Sequence, residues 1–158
     1  QAITPVAEEY DLCGQLAECA VNYEPVWEKK DIGFDADMED SVKITADAAL
    51  MELVWNNLFS NAVKFTEPGG TIKLTEQSDD SEIRVSVEDN GCGFSPEMLA
   101  SFPVKEDNGH VGLSNLYHTL QLIYGPAASL HISNAEPNGA RVTIFLPEEE
   151  NHAHPSCG

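Results

Sequence analysis

The sequence predicts an α/β fold, a two-layer sandwich in which helices cover one face of a mixed β-sheet. Helical and strand patterns alternate along most of the 158 residues, which is typical of helices packed on a sheet. Two pairs of strands are joined by short polar turns, so part of the sheet must be antiparallel. A long amphipathic helix in the first half of the chain supplies an apolar face that can cover the sheet.

The first half of the chain is predicted to contain a strand, a helix, one or two further strands and the long helix. The first strand is "PVAEEYDL", and the helix after it, "CGQLAECAVNYEPVWEKKD", is limited or kinked by Pro25. The stretch "IGFDADMEDSVKITA" alternates like one or two strands joined by an acidic turn. The long helix follows Asp47, a good N-cap residue, and ends before Pro68-Gly69-Gly70.

The second half is predicted to contain two hairpins with a loop and a helix between them. The first hairpin is "TIKLTEQSDDSEIRVSVED", with its turn at residues 78–81, and a loop over 95–109 leads to the helix "GLSNLYHTLQLIYG". "SLHIS" and "ARVTIFLP" form the second hairpin around a turn at 136–139. We expect one domain over residues 1–147, followed by a disordered acidic tail at 148–158.

Composition excludes several classes of function. The chain has 27 acidic residues against 8 Lys plus Arg, a net charge of −19, so neither nucleic acid nor an anionic membrane surface is an expected partner. It lacks the run of about 18 apolar residues that a membrane helix needs. Its four cysteines show no zinc-binding spacing, and reduced thiols in the cytoplasm are the simplest account of them. Because the chain begins with Gln1 rather than Met, we expect it to be part of a longer protein.

The polar face of the long helix is unusual because it carries three asparagines within six residues. Each amide costs about half a kcal/mol relative to alanine in a helix interior. Asn57 and Asn61 lie one turn apart and Lys64 follows on the same stripe, a set that can hold a hydrated Mg²⁺ and its phosphates. The alternative is a plain amphipathic helix with a solvated polar face. The predicted buried face comprises Met51, Val54, Trp55, Leu58, Phe59, Ala62, Val63 and Phe65.

A second feature is the stretch "SVEDNGCGFS", in which a strand ends at an acid followed by two glycines. Asp89 at a strand end can accept a hydrogen bond from an exocyclic amine such as that of adenine, and Gly91 and Gly93 allow the backbone to approach a ring closely. The alternative is an Asx turn that leaves the strand. We expect Cys92 to be a small buried residue.

A third feature is "DNGHVGLSNL", in which Gly109 and Gly112 precede a helix that starts near Leu113. The free backbone N–H groups at such a helix start can bind phosphate oxygens. Glycines at this spacing before a helix are weak evidence when taken alone.

Together these stretches resemble the catalytic and ATP-binding domain of sensor histidine kinases, a family of the GHKL superfamily. "WNNLFSNAVKFTEPGG" is similar to the family's N box, "VEDNGCGF" to its first glycine box and "GHVGLSNL" to its second. "GARVTIFLP" resembles the strand that closes the domain. The order and spacing agree from about residue 11 to 147, so the resemblance implies that residues 1–147 are an ATP-binding domain with the Bergerat α/β fold.

The resemblance implies roles for the residues at the phosphate end of an ATP site. Asn61 would ligate Mg²⁺ and Asn57 would support the phosphates, while Lys64 would contact a phosphate directly. Gly112 and Leu113 would begin the helix under the phosphates.

The resemblance also implies roles at the adenine end. Phe65 would occupy the aromatic position near the base, and Asp89 would accept from the adenine amino group. Gly91 and Gly93 would pass beside the base, and Thr143 would help with adenine or a bridging water.

The second glycine box departs from the family pattern, which has three alternating glycines. Asn108 and His110 stand where the first two would be, and a side chain there stiffens the loop and can crowd the phosphates or donate to them. The loop before this box is also short, and its Phe102 is a poor candidate for the family's phenylalanine box.

The N box distinguishes two reactions within the superfamily. Its ATPases carry a glutamate one turn before the magnesium asparagine, whereas this chain has Asn57, and an amide cannot take a proton from water at neutral pH. We therefore expect no efficient hydrolysis and no catalytic residue in this fragment. The resemblance implies that ATP·Mg²⁺ is bound and its γ-phosphate presented to a histidine on a separate dimerisation domain, with a response regulator as a further partner. The domain would be cytoplasmic, in a parent that can be membrane-anchored.

Two alternatives remain open on the sequence. One is a degenerate GHKL module that docks protein partners, which the altered second glycine box favours. The other is a serine kinase of the anti-sigma-factor type, which shares these boxes and phosphorylates a small partner protein.

Overall fold

The computed structural model describes residues 4–102 and 111–148, with the side chain of residue 111 left aside. Within these ranges the chain forms seven strands, five α-helices and a short 3₁₀ helix. In chain order they are β1 Glu8–Asp11, α1 Leu12–Asn22, α2 Glu24–Lys29, β2 Gly33–Asp37, β3 Lys43–Ala46, α3 Ala48–Phe65, β4 Thr71–Ser78, β5 Glu82–Asp89, α4 Pro96–Ser101, α5 Val111–Tyr124, the 3₁₀ helix Gly125–Ala127, β6 Ser129–Asn134 and β7 Ala140–Pro147.

Five of the strands form a mixed sheet in the order β2-β4-β5-β7-β6, with β5 at its centre. β2 runs parallel to β4, and the other neighbours are antiparallel. β1 and β3 pair with each other in a separate two-stranded sheet. The mixed sheet and its helices confirm the predicted α/β class.

The core lies between one face of this sheet and the helices. Alternate residues of β5 and β7 are buried and the residues between them are half-buried, as the period of two in a strand requires. The central part of α3 packs on the sheet through its apolar stripe, and the Trp55 and Phe59 side chains are fully buried there. Asp47 caps this helix by accepting from the Leu50 backbone N–H at 3.0 Å.

Most predicted elements are confirmed, and two predictions need correction. α1 ends at Asn22 and α2 begins at Glu24, so the helical stretch breaks just before Pro25, as predicted. The stretch "IGFDADMEDSVKITA" does form two strands, but they lie in different sheets and do not pair with each other. The predicted loop over 95–109 contains α4, which is capped by Ser95 Oγ accepting from Met98 N at 3.1 Å.

Parts of the sequence predictions fall outside the described residues. These parts are Asn108, Gly109 and His110 of the second glycine box, and the tail beyond Glu148. Among the helices of the described ranges, none has the length and apolar character needed to cross a bilayer.

A buried carboxyl group, that of Glu76 on β4, stands out in the core. Its side chain is 1% exposed, and Oε1 accepts from Glu39 N at 2.8 Å and from Cys13 Sγ at 3.3 Å. Oε2 is buried and has no hydrogen-bond partner among the described residues. Burial raises the pKa of Glu76, with the neighbouring Glu39 carboxylate acting in the same direction. Burial also raises the pKa of the Cys13 thiol to about 12, which keeps it a donor.

We expect Glu76→Gln to stabilise the domain at neutral pH. Because the folded pKa of Glu76 lies above its unfolded value, its favourable contribution is present at low pH and is lost as pH rises through the folded pKa. Gln keeps the acceptor for Glu39 N but carries no charge, so the gain should be about 1 kcal/mol near pH 7 and vanish below about pH 4.5. Urea unfolding of both proteins across this pH range measures the difference. Glu9→Gln, which removes a charge from an exposed position on β1, should show no such trend, and parallel curves for wild type and Glu76→Gln would contradict the assignment.

Candidate functional site

The three sequence motifs meet around the C-terminal half of α3. A Cβ added to Gly91 would overlap the Phe65 carbonyl oxygen, so the first glycine box lies directly against the end of α3. A Cβ added to Gly112 would lie 3.8 Å from both the backbone oxygen and Oδ1 of Asn57, so the start of α5 lies over the same helix. The fold therefore brings together residues that are 26 and 55 positions apart in sequence.

Asp89 occupies the C-terminal end of the central strand, as predicted, and its side chain is 5% exposed. Oδ1 accepts from Gly91 N at 2.8 Å and from Ala140 N at 3.2 Å. The bond to Gly91 N is that of an Asx turn. The Asx turn that the sequence offered as the alternative interpretation of Asp89 is therefore present. Within the described residues we find no hydrogen bond to Oδ2, which leaves a second acceptor for another donor.

Burial raises the pKa of Asp89, and the nearby Glu88 carboxylate acts in the same direction. The N–H groups of Gly91 and Ala140 oppose this by stabilising the ionised form. A buried carboxylate with only one oxygen satisfied favours a ligand that brings a donor, because an unpaired buried polar atom costs free energy.

The polar residues of α3 differ in exposure more than a single solvated face would predict. Lys64 is exposed and Asn57 is half-buried, whereas Asn61 is only 7% exposed and lies among the core residues. The alternative of a plain solvated face therefore does not hold for Asn61, which lies on a helix that packs against both α5 and β5. Phe65, predicted to be buried, is half-buried, and Lys64 Nζ lies 5.3 Å from the centre of its ring.

The two glycines of the first box are required by the protein's own chain. Gly93 has φ +78°, and a Cβ there would lie 2.9 Å from Asn134 Oδ1 and 3.0 Å from the Gly139 carbonyl oxygen. Gly91 has no room for a Cβ beside Phe65. Close backbone approach thus explains both glycines, and their passage beside a base stays a prediction. Cys92 is exposed between them, so the expectation that it is buried is wrong.

The structure places Thr143 away from the other predicted site residues. It pairs with Ser86 across β5 and β7, with 3.3 Å between the two hydroxyl oxygens. Both residues belong to the half-buried set of their strands, whereas Asp89 belongs to the buried set that faces the helices. We therefore leave Thr143 out of the candidate site. Leu113 lies in the first turn of α5, as predicted, and its side chain is fully buried.

Sequence reasoning missed three asparagines that hold the first glycine box. Asn90 Oδ1 accepts from Thr71 N at 2.9 Å, and Asn138 Nδ2 donates to Asn90 O at 2.7 Å. Asn134 Oδ1 accepts from Phe94 N at 2.7 Å. The available signal was the Asn-Gly pair at 90–91 and again at 138–139, since Asn and Gly together mark tight turns.

Comparison with known proteins now assigns the family. Residues 46–150 match the model of the HATPase_c family, described as histidine kinase-, DNA gyrase B-, and HSP90-like ATPase. The chain belongs to this family. The match covers the N box, the whole first glycine box and the closing hairpin.

Relatives with which this chain aligns include sensor kinases. The sensor histidine kinase YpdA of Escherichia coli K12 is 24% identical over 114 residues, covering 72% of this chain and 20% of YpdA. The adaptive-response sensory kinase SasA of Prochlorococcus marinus MIT 9313 is 38% identical over 89 residues, covering 55% of this chain and 24% of SasA. The chain thus spans only about a fifth to a quarter of the length of these relatives.

Solved structures agree with the assignment. The nucleotide-free catalytic domain of the histidine kinase ThkA superposes with a TM-score of 0.80 and 25% identity, covering 90% of this chain and 97% of that one. ThkA in complex with the response regulator TrrA aligns with a TM-score of 0.75 and 24% identity, covering 91% of this chain and 42% of that one. This HATPase_c domain therefore has the fold of a histidine kinase catalytic domain.

Proposed function

We propose that this domain binds ATP with Mg²⁺ and presents the γ-phosphate to a histidine on a separate dimerisation domain, as part of a bacterial sensor histidine kinase. The observation that carries the proposal is the buried Asp89 carboxylate, which has one oxygen anchored and the other without a partner among the described residues. It lies beside the end of α3 in a family whose members include ATPases.

At the adenine end, Asp89 accepts a hydrogen bond from the exocyclic amine of the base. The anchored Oδ1 fixes the plane of the carboxylate, so no reorganisation is needed when the base arrives. Phe65 offers a half-buried aromatic ring, and Gly91 and Gly93 keep the neighbouring backbone free of Cβ atoms.

At the phosphate end, Asn57, Asn61 and Lys64 supply amide oxygens and an ammonium group along one stripe of α3. This donor set fits Mg²⁺ that arrives with the nucleotide, because magnesium keeps several waters and takes few protein ligands when phosphates are present. The described residues contain no group of three His, Cys, Asp or Glu that could hold a metal by themselves. When bound, the ion would neutralise phosphate charge near Asn61, and the first turn of α5 at Gly112 and Leu113 would offer backbone N–H groups to the phosphates.

The domain has no base for hydrolysis at the N-box position, since Asn57 cannot accept a proton there. The two histidines among the described residues are engaged with aromatic rings. The His118 ring lies 5.5 Å from that of Tyr117, and the His131 ring 5.1 Å from that of Phe145. Neither histidine has an acidic residue next to it in the sequence, which the resemblance would require of the phosphate acceptor. We therefore assign the acceptor to another domain, and to this chain the binding and orientation of ATP.

The wider setting follows from the relatives. ThkA is seen in complex with a response regulator, and we infer a response regulator as a further partner here. We place the domain, residues 1–147, in the cytoplasm of a parent that can be membrane-anchored. The acidic balance of the chain favours neither nucleic acid nor direct membrane contact.

Calorimetric titration of the chain with ATP·Mg²⁺ tests the proposal. We expect saturable binding, and no heat at millimolar nucleotide would instead favour a degenerate docking module. With labelled ATP and a histidine-bearing helical domain of a sensor kinase as substrate, we expect acid-labile phosphohistidine. Transfer to serine of a small partner protein, with no phosphohistidine, would favour the anti-sigma-factor type of kinase.

The affinity for ATP should depend on pH through Asp89. Because the pKa of this carboxyl is raised, lowering the pH protonates it earlier than an ordinary Asp, and a protonated group loses its charge-assisted acceptor. We expect the advantage of the wild type over Asp89→Asn in ATP affinity to be full at neutral pH and to shrink over the range from there to the lowest pH at which the domain stays folded, with the decline starting at a higher pH than for an ordinary Asp. Titration of both proteins at each pH cancels protonation of ATP itself. An advantage that stays constant over this range would contradict a titrating role for Asp89.

A further inference from the structure

We propose that the β6–β7 turn, defined here as residues 134–140 with the last residue of β6 and the first of β7, is a positioning device. In it Asn134 and Asn138 hold the segment Asn90–Phe94 and thereby set the Asp89 carboxylate for adenine. The inference rests on the proposed ATP binding and assigns a role to residues that need not touch the nucleotide. It predicts that ATP affinity and the preference for adenine over guanine depend on these two side chains.

Asn138 holds the beginning of the segment. Its Nδ2 donates to Asn90 O at 2.7 Å and to Gly91 O at 3.3 Å, the two carbonyls that follow Asp89. The neighbouring Gly139, with φ +118°, lies so close that a Cβ there would overlap the Asp89 carbonyl oxygen. The turn therefore contacts the backbone immediately around the carboxylate.

Asn134 holds the far end of the segment. Its Oδ1 accepts from Phe94 N at 2.7 Å and its Nδ2 donates to Phe94 O at 3.1 Å. The side-chain amide of Asn134 therefore bonds to both the backbone N–H and the backbone carbonyl of Phe94. Gly93 makes this possible, because a Cβ there would lie 2.9 Å from Asn134 Oδ1. The buried Phe94 side chain then fixes the segment against the core.

The same turn also binds the carboxylate itself, through Ala140 N and Asp89 Oδ1 at 3.2 Å. The other bond to Oδ1 comes from Gly91 N, whose own carbonyl is held by Asn138. Both bonds that orient the carboxylate thus depend on the position of the turn. A shift of the segment would rotate the oxygen that adenine needs, and small misplacements of a donor or acceptor are costly in binding.

A purely structural role predicts a different result from a positioning role. Asn134 and Asn138 are both exposed, so truncation removes little buried surface, and the loss of their hydrogen bonds should lower the melting temperature of each single variant only by a few degrees. Guanine carries a carbonyl where adenine carries its amine, so a well-placed carboxylate rejects it. The ATP-to-GTP affinity ratio therefore reports on Asp89 placement and would not respond to a small loss of stability.

The test compares Asn134→Ala, Asn138→Ala and their double variant with the wild type, with Ser133→Ala as an exposed control on β6. Calorimetry with ATP and GTP gives affinities, and amide hydrogen exchange of nucleotide-free protein follows Phe94 and Gly91. We expect the double variant to bind ATP about tenfold more weakly and its ATP-to-GTP ratio to fall about fivefold or more. Exchange at the Phe94 amide should accelerate in Asn134→Ala, while Ser133→Ala matches the wild type.

Asn134→Asp keeps the acceptor for Phe94 N and loses the donor, so it should give a smaller loss and remains informative if the double variant fails to fold. A wild type that binds ATP, with variants unchanged in affinity and in ATP-to-GTP ratio, would overturn this inference and leave the proposed function intact. A wild type that does not bind ATP would overturn both.

Discussion

Asp89→Asn should bind ATP about ten- to a hundredfold more weakly than the wild type. The change removes a charged acceptor for the adenine amine, and a hydrogen bond to a charged group contributes about 1.5–3 kcal/mol. The fold should survive, because Asn keeps an Oδ1 that can accept from Gly91 N and Ala140 N as Asp89 does now. Calorimetric titration with ATP·Mg²⁺, beside a thermal unfolding curve, measures both quantities.

The matched control is Glu88→Gln, which removes one negative charge from the adjacent position. Glu88 belongs to the half-buried residues of β5 and lies on the opposite face of the strand from Asp89. Its Oε1 is 3.2 Å from Arg141 Nε, with which it forms an ion pair. It should change ATP affinity by less than about threefold, since a pair at this exposure contributes little. Equal ATP binding by Asp89→Asn and the wild type would remove Asp89 from the site.

Gly139→Ala should destabilise the domain by about 3 kcal/mol or more. Gly139 has φ +118°, a conformation that residues with a side chain rarely adopt, and an added Cβ would overlap the Asp89 backbone oxygen. Strain at such a position costs about 1–3 kcal/mol, and the backbone overlap adds to it. Urea unfolding at pH 7 measures the loss of free energy of unfolding.

Gly125→Ala separates the two causes. Gly125 also has positive φ, at +60°, but in the part of the chain that the structure describes no atom lies within 4 Å of the Cβ it would gain. It should lose only the conformational part, about 1–2 kcal/mol. If both variants lost the same free energy, contact between the β6–β7 turn and Asp89 would not be what requires Gly139.

Local pattern was sufficient to predict much of this domain. The long helix was clear because its apolar residues recur with helical period over 18 residues and Asp47 caps it. The hairpins were clear because polar turns separate alternating strands. The placement of Asp89 at the end of the central strand followed from the same alternation, and the structure confirms it.

The remaining features depend on tertiary contacts that periodicity does not carry. Asn61 is buried on a helix that packs against both α5 and β5, and a helical wheel of α3 alone cannot show that packing. Cys92 is exposed because Gly91 and Gly93 on either side of it pack against Phe65 and Asn134. Asn134 and Asn138 bond to residues 40 and 48 positions away, so a local motif identifies the turn but not the segment it contacts.

A crystal structure of the domain with a non-hydrolysable ATP analogue and Mg²⁺ tests the central claim most directly. We expect the adenine amine within hydrogen-bond distance of the Asp89 carboxylate and the metal within coordination distance of the Asn61 amide oxygen. A nucleotide bound elsewhere, or an adenine amine bonded to other groups while Asp89 keeps only its present partners, would contradict the account.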